Sequence, residues 1–92
     1  MIKSFSCKHT QQLFEGRCAK QFRAFQAQAE RKLQLLDSAA TVEFQGSPPG
    51  NRLEALKGDR AGYYSLRIND QWRLCFRFKN GDAHAVEIID YH

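Results

Sequence analysis

Residues 72–79, WRLCFRFK, decide the fold, because apolar and polar side chains alternate along the whole stretch. The apolar positions are Trp72, Leu74, Phe76 and Phe78, and the positions between them are Arg73, Cys75, Arg77 and Lys79. Successive side chains of a β-strand point to opposite faces of the sheet, so this pattern predicts an antiparallel strand with one face against a core. The opposite face is expected to present its cations to solvent.

Two further strands are predicted beside this one. Residues 63–68 alternate in the same sense, and Asn69-Asp70-Gln71 is expected to form a tight turn between the two stretches. On the other side, Asn80-Gly81 signals a hairpin that leads into the C-terminal stretch. Together the three stretches predict a three-stranded antiparallel meander.

The length of the hairpin loop sets the register of the last strand. A two-residue loop would pair Lys79 with Asp82 and turn Glu87 toward the core, where burial of a carboxylate is costly. We therefore predict a three-residue loop. It would place Val86 and Ile88 beside Phe76 and Leu74, and Glu87, Ile89 and Tyr91 on the face that carries Arg73 and Arg77.

The N-terminal half has the residue spacing of helices. Between residues 19 and 37 one apolar face is formed by Phe22, Phe25, Ala29, Leu33 and Leu36. The shorter elements predicted around it are a strand over residues 2–6, a helix that opens at His9 or Thr10 and ends before Gly16, and a helix from Asp37 or Ser38 through Phe44. This order predicts an α+β fold with N-terminal helices packed on a small twisted antiparallel sheet.

Length and composition indicate one domain, residues 1–92, with 42% hydrophobic and 12% aromatic residues. The three cysteines form no C-x-x-C pair, so neither a secreted disulfide framework nor a zinc site is indicated, and a cytoplasmic location is expected. The sequence has no apolar run of the length of a signal peptide or membrane span, so no membrane partner is expected. A net charge of +4 suits a polyanionic partner.

The sequence contains none of the common catalytic motifs, such as G-x-S-x-G, H-E-x-x-H or a Walker loop. It offers instead a cationic strand face and a terminal Asp90-Tyr91-His92, which supply a carboxylate, a phenol and an imidazole. Cleavage of RNA by its own 2′-hydroxyl needs only a base, an acid and cations for the developing charge. Arg73 and Lys57 are the candidate cations, and neither a metal nor a cofactor is expected.

Three separated motifs resemble the HigB branch of the RelE/ParE toxin superfamily. They are LEALKGDRAGYYS at residues 53–65, NDQWRLCF at residues 69–76, and the terminal Asp90-Tyr91-His92 preceded by Gly81-Asp82. The opening MIKSF matches as well, so the resemblance covers nearly the whole chain. It implies a RelE-like fold and a bacterial toxin that cuts messenger RNA in the ribosomal A site. It also implies a helix-turn-helix antitoxin of the HigA type that silences the toxin.

Carried over position by position, the resemblance implies a site around the scissile phosphate formed by Lys57, Arg73, Asp90, Tyr91 and His92. Arg73 would stabilise charge, and Lys57 would contact phosphate or abstract a proton. The three terminal residues would transfer or position protons, and Tyr91 could also stack on a base. Some relatives carry a histidine at the place of Glu54, so the carboxylate here would either repel phosphate or act as a base.

Further cations are expected to hold RNA, both the messenger and the 30S subunit of the 70S ribosome. The candidates are Arg67, Arg77, Lys79, Lys20 and Arg23. Operator DNA would be bound only through the antitoxin, because this chain has no DNA-reading helices of its own. Two alternatives stay open: a ParE-like inhibitor of DNA gyrase, and a non-catalytic regulatory binding module.

Overall fold

The alternating stretch forms the strand predicted for it, Trp72–Lys79, and this strand lies inside a four-stranded antiparallel sheet. The computed structural model describes residues 1–17, 20–38, 54–56 and 62–90. The strands, in sheet order, are β1 Glu54–Ala55, β2 Tyr63–Arg67, β3 Trp72–Lys79 and β4 Asp82–Asp90. The helices are α1 Lys8–Phe14, a 3-10 helix Lys20–Phe25, and α2 Gln26–Ser38. The α+β prediction is confirmed.

The sheet has one strand more than the predicted meander. Strand β1 pairs with β2 through Glu54 opposite Ser65 and Ala55 opposite Tyr64. A strand of two residues is too short for its alternation to be visible in a sequence. The turn between β2 and β3 forms as predicted, because the side-chain oxygen of Asn69 accepts hydrogen bonds from the backbone amides of Gln71 and Trp72 at 2.9 and 2.8 Å.

The core lies between the helices and the apolar face of the sheet, as the sequence predicts. The members contributed by α2 are Ala29, Leu33 and Leu36, and those from β3 are Leu74 and Phe76, all with 0% exposure. The predicted helix over residues 19–37 differs at its start, because its first part is a 3-10 helix. In a 3-10 helix residues i and i+3 lie in line, so Phe22 and Phe25 both face Trp72, with ring centroids 5.9 and 5.1 Å away.

The loop between β3 and β4 is shorter than the predicted three residues. Lys79 pairs directly with Asp82, so the loop has two residues, Asn80 and Gly81, with φ of 53° and 81°. A β-bulge farther along returns the later residues of β4 to their predicted faces. Between the pairs Arg77–His84 and Cys75–Glu87 the register advances two residues on β3 and three on β4. Ile88 therefore does pair with Leu74, and Glu87 stays off the core face.

The positive φ of Gly81 gives a stability prediction. A side chain in this backbone region costs about 1 kcal/mol in free energy of unfolding, so Gly81→Ala is expected to lower stability by roughly that amount. Gly81→Asn should lose clearly less, because asparagine enters the left-handed region more readily. Urea unfolding of the two variants measures the difference, and equal losses would contradict the assigned turn.

The N-terminal segment covers the outer edge of β4, although it forms two isolated parallel bridges instead of the predicted strand over residues 2–6. The bridges join Ile2 to Ala83 and Phe5 to Val86. Beyond them, the hydroxyl of Thr10 in α1 accepts a hydrogen bond from the backbone amide of Ile88 at 3.0 Å. An edge covered in this way is protected from pairing with other chains.

Helix α1 lies where a helix is predicted, before Gly16, although it begins at Lys8. The predicted helix through Phe44 lies outside the described residues beyond Ser38. Within the described ranges, none of the helices has the length and apolar character that crossing a membrane requires.

Candidate active site

The sheet face turned away from the helices is partly buried, which differs from the solvent-facing surface predicted for it. Ser65, Arg73 and Cys75 have exposures of 0, 7 and 1%. Arg77 and Lys79, on the same face toward the hairpin, are exposed as predicted. The face therefore combines a buried cation at one end with exposed cations at the other.

The side chain of Arg73 contacts Ser65 of the adjacent strand β2 and Glu54 of β1, the strand beyond it. Its Nε donates a hydrogen bond to the Ser65 hydroxyl at 2.9 Å, and its Nη2 donates to the Ser65 carbonyl oxygen at 3.4 Å. A carboxylate oxygen of Glu54 lies 3.8 Å from the same Nη2. The side chain of Glu54 is 54% exposed whereas that of Arg73 is 8% exposed, so the carboxylate lies on the solvent side of the guanidinium.

The register of the sheet explains why these three residues meet. Glu54 is paired with Ser65 across β1 and β2, and Arg67 is paired with Arg73 across β2 and β3. Ser65 is therefore the diagonal neighbour of Arg73 on the same face, within reach of a long side chain. A guanidinium has its donors in a planar fork, and Ser65 engages the edge formed by Nε and Nη2.

Asp90 ends β4 on the other side of the sheet from Arg73. Its pairing partner is Trp72, while the partner of Arg73 is Ile89, so by register Asp90 shares the face of Trp72. Its carboxylate accepts a hydrogen bond from the Gln71 side-chain amide at 3.1 Å. The fold thus brings Asp90 to the same end of the sheet as Arg73 but not onto the same face.

Lys57, Tyr91 and His92 lie outside the described residues, so their place in the site stays a prediction. Among the residues that are described, the carboxylate of Glu54 lies beside Arg73, Glu87 shares the face of Arg73 through its pairing with Cys75, and Asp90 lies at the same end of the sheet on the other face. In that same part of the chain, no three histidine, cysteine, aspartate or glutamate side chains group into a metal site.

The five cations predicted to bind RNA occupy two layers of the molecule. Arg77 and Lys79 extend the face of Arg73, while Lys20 and Arg23 are exposed on the 3-10 helix. Arg67 is half-buried and forms an ion pair with Asp70. Arg77 and Lys79 therefore belong to the sheet, and Lys20 and Arg23 to the helical layer.

Lys32 of α2 lies within the electrostatic influence of two other cations, Arg31 and Arg67. Partial burial lowers the pKa of Lys32, and the nearby charges of Arg31 and Arg67 lower it further. Such a concentration of cations favours a nearby anion, because the phosphate of a nucleic acid relieves their mutual repulsion.

Sequence reasoning missed Ser65. Its position on the cationic face could be inferred from the alternation of residues 63–68, but a serine in a strand carries no mark of the arginine that it will contact. The diagonal pair becomes visible only when the register between β2 and β3 is known.

The sequence and the fold are similar to those of bacterial toxins. Residues 3–92 match the family model of the HigB-like toxins, described as RelE-like toxins of type II toxin–antitoxin systems. The chain is 37% identical over 93 residues to a protein named endoribonuclease HigB from Proteus vulgaris, with 100% of both chains covered.

Solved structures show the same fold. Superposition on YafQ from E. coli gives a TM-score of 0.67 at 13% identity, with 98% of this chain and 91% of that chain covered. The toxin–antitoxin complex YoeB–YefM from Staphylococcus aureus, a heterotetramer, gives a TM-score of 0.55 at 22% identity, with 100% and 98% covered.

Proposed function

This chain belongs to the HigB-like family of RelE-like toxins, and we propose that it is a ribosome-dependent endoribonuclease that cuts messenger RNA in the ribosomal A site. The observation that carries the proposal is the anchored guanidinium of Arg73 at the end of a cationic sheet face. The full-length similarity to a protein named endoribonuclease supports the same reaction class.

The proposed reaction uses the 2′-hydroxyl of the substrate as nucleophile. A base removes its proton, the oxygen bonds to the adjacent phosphorus, and the bond to the 5′-oxygen of the next nucleotide breaks. An acid gives a proton to that leaving oxygen, and the other product ends in a 2′,3′-cyclic phosphate. Arg73 would stabilise the extra negative charge on the phosphorane. Lys57, Asp90, Tyr91 and His92 are the proposed proton-transfer and positioning groups.

The ribosome would supply the geometry that this small protein lacks. In-line attack requires the 2′-oxygen, the phosphorus and the leaving oxygen to be aligned. Holding the substrate in that alignment can supply a large part of the reduction in the activation barrier for cleavage. A messenger held by the 30S subunit would arrive in one conformation. The exposed Arg77 and Lys79 would contact its backbone beside the site.

A HigA-type helix-turn-helix antitoxin is the proposed partner that neutralises the toxin, and operator DNA would be bound only through it. The structural similarity to the toxin chain of a toxin–antitoxin complex supports a protein partner of this kind. Co-expression with the neighbouring reading frame, followed by co-purification, tests the partnership.

The activity is tested by adding purified protein to translating ribosomes that carry an end-labelled messenger. Cleavage within the messenger on ribosomes, and none of the free messenger, is the expected result. Cutting of free RNA at a comparable rate would contradict ribosome dependence. An intact messenger together with double-strand breaks in DNA would instead favour an inhibitor of gyrase, and binding with no cleavage would favour a regulatory module.

Glu54→Gln is expected to tighten the interaction with RNA without stopping turnover. The carboxylate lies 3.8 Å from the Arg73 Nη2 and would compete with an incoming phosphate. The pair is long and Glu54 is half exposed, so its contribution is about 1 kcal/mol, and the expected fall in KM is up to about fivefold. The test is a comparison of KM and kcat on programmed ribosomes at low salt. A loss of kcat of more than about 10²-fold would show that Glu54 is the base instead.

A further inference from the structure

Ser65 has no place in the reaction described so far, yet it is one of the most completely buried polar residues among those described. Its exposure is 0%, and both its hydroxyl and its carbonyl oxygen accept hydrogen bonds from Arg73. A buried serine could be satisfied by its own backbone or by a neighbouring strand. Here it contacts Arg73, the cation that is proposed to stabilise the negative charge of the transition state.

We infer that Ser65 is a positioning residue for cleavage, because it holds the guanidinium of Arg73 in the orientation that faces the phosphorane. The inference rests on the proposed function and adds to it a residue outside the predicted site. Ser65 itself is not expected to touch RNA, since it is wholly buried.

Two features make Ser65 suited to this role. The first is rigidity: Ser65 belongs to the central part of β2 and is paired with Glu54 on one side and Cys75 on the other, so its oxygens are fixed by the sheet. The second is geometry: contacts to Nε and Nη2 fix the plane of the guanidinium, which a single contact would leave free to rotate.

Glu54 competes with Ser65 for the guanidinium of Arg73. Its carboxylate is already 3.8 Å from Nη2. Without the Ser65 hydroxyl, the attraction of this carboxylate for Nη2 would lose a competitor. Arg73 would then turn toward Glu54 and away from the phosphate. The loss caused by removing Ser65 should therefore be smaller when Glu54 is neutral.

The test is a double-mutant cycle on the full-length protein with Ser65→Ala, Glu54→Gln and the combination, assayed on programmed ribosomes. Since a misplacement of about 1 Å can cost about 10²-fold in rate, Ser65→Ala is expected to lower kcat by roughly 10- to 100-fold. The KM should change less than about twofold, and Glu54→Gln should restore part of kcat in the double variant. Ser65→Cys, which keeps the volume but accepts hydrogen bonds weakly, should resemble Ser65→Ala.

Ser4→Ala is the matched control, because its hydroxyl also accepts a hydrogen bond, from the Ala85 amide at 2.9 Å, but lies on the N-terminal segment. It should leave kcat unchanged. Thermal unfolding of every variant separates a loss of fold from a loss of orientation.

Proton exchange at the Arg73 Nε, followed by nitrogen-edited NMR, gives a readout that does not need activity. Exchange should be slow in the wild type and at least about tenfold faster in Ser65→Ala, because a broken hydrogen bond exposes the proton. Unchanged exchange, or an unchanged kcat in folded Ser65→Ala, would overturn the inference. An inactive wild-type protein would overturn the proposed function separately, and the exchange measurement would still decide whether Ser65 holds Arg73.

Discussion

Arg73→Ala is expected to slow cleavage of messenger RNA on ribosomes by about 10² to 10³-fold, the usual cost of removing one preorganised group that stabilises a developing negative charge. Arg73 is buried, with 7% of the residue exposed, so its charge is only weakly screened by water. Its hydrogen bonds to Ser65 also mean that little reorganisation is needed when the phosphorane forms.

Arg73→Lys should also lose most of the activity. Lysine keeps the charge, but its ammonium lacks the planar fork that Ser65 engages, and its position would be less fixed. The size of the loss should lie between that of the alanine variant and the wild type.

Arg77→Ala is the matched control for both variants. Arg77 lies on the same strand and the same face, but it is exposed and is paired with His84 near the hairpin. Its loss should weaken binding without lowering kcat by more than a fewfold. If Arg77→Ala and Arg73→Ala reduced kcat equally, the activity would depend on the total charge of the face, and the role given to Arg73 would be wrong.

Phe76→Ala is expected to lower the free energy of unfolding by about 3 to 5 kcal/mol, the range for truncating a buried phenylalanine. Phe76 has 0% exposure and lies between the rings of Tyr64 and Phe78, with centroids 6.1 and 6.4 Å away. It also sits inside the register shift of β3 and β4, where the regular ladder is interrupted and packing has to hold the strands.

Urea unfolding followed by far-ultraviolet circular dichroism measures this loss. Phe14→Ala is the matched control, because Phe14 is 37% exposed and contacts Phe5 at a centroid distance of 5.7 Å. Its removal should cost only about 1 kcal/mol. Similar losses for the two variants would mean that Phe76 is not a central member of the core.

The alternation of residues 72–79 was sufficient to predict β3 and its core face, because a strand with one buried face has no other way to place four large apolar side chains. The same reasoning predicted the apolar face of α2, with Ala29, Leu33 and Leu36 fully buried. These predictions depend on local spacing alone.

The register of β4 shows where local reasoning reaches its limit. The requirement that Glu87 stay off the core was correct, but it can be met either by a longer loop or by an extra residue within the strand. The protein uses the bulge, with Ala85 at a φ of 54°. An alanine carries no sequence signal for that backbone region, so the choice between the two solutions could not be predicted.

The candidate site was predicted only in part. The cation was identified from the alternation and from the resemblance to a toxin family, whereas its burial was not, because burial depends on what packs over the outer face. The contacts of Arg73 with Glu54 and Ser65 were also not predicted. Glu54 belongs to a strand of two residues, and Ser65 meets Arg73 only as a diagonal pair across β2 and β3.

The amino-acid sequence alone determined the core faces of β3 and α2 and the strand that carries the cations, since each of these follows from side-chain type and spacing along one segment. The resemblance to a toxin family was also visible in the sequence, because three separated motifs carry it. Tertiary structure alone decided that Arg73 is buried, that it donates a hydrogen bond to Ser65 and that Glu54 lies beside it. Those contacts join segments that meet only after three strands have paired, and the pairing register is a property of the whole sheet.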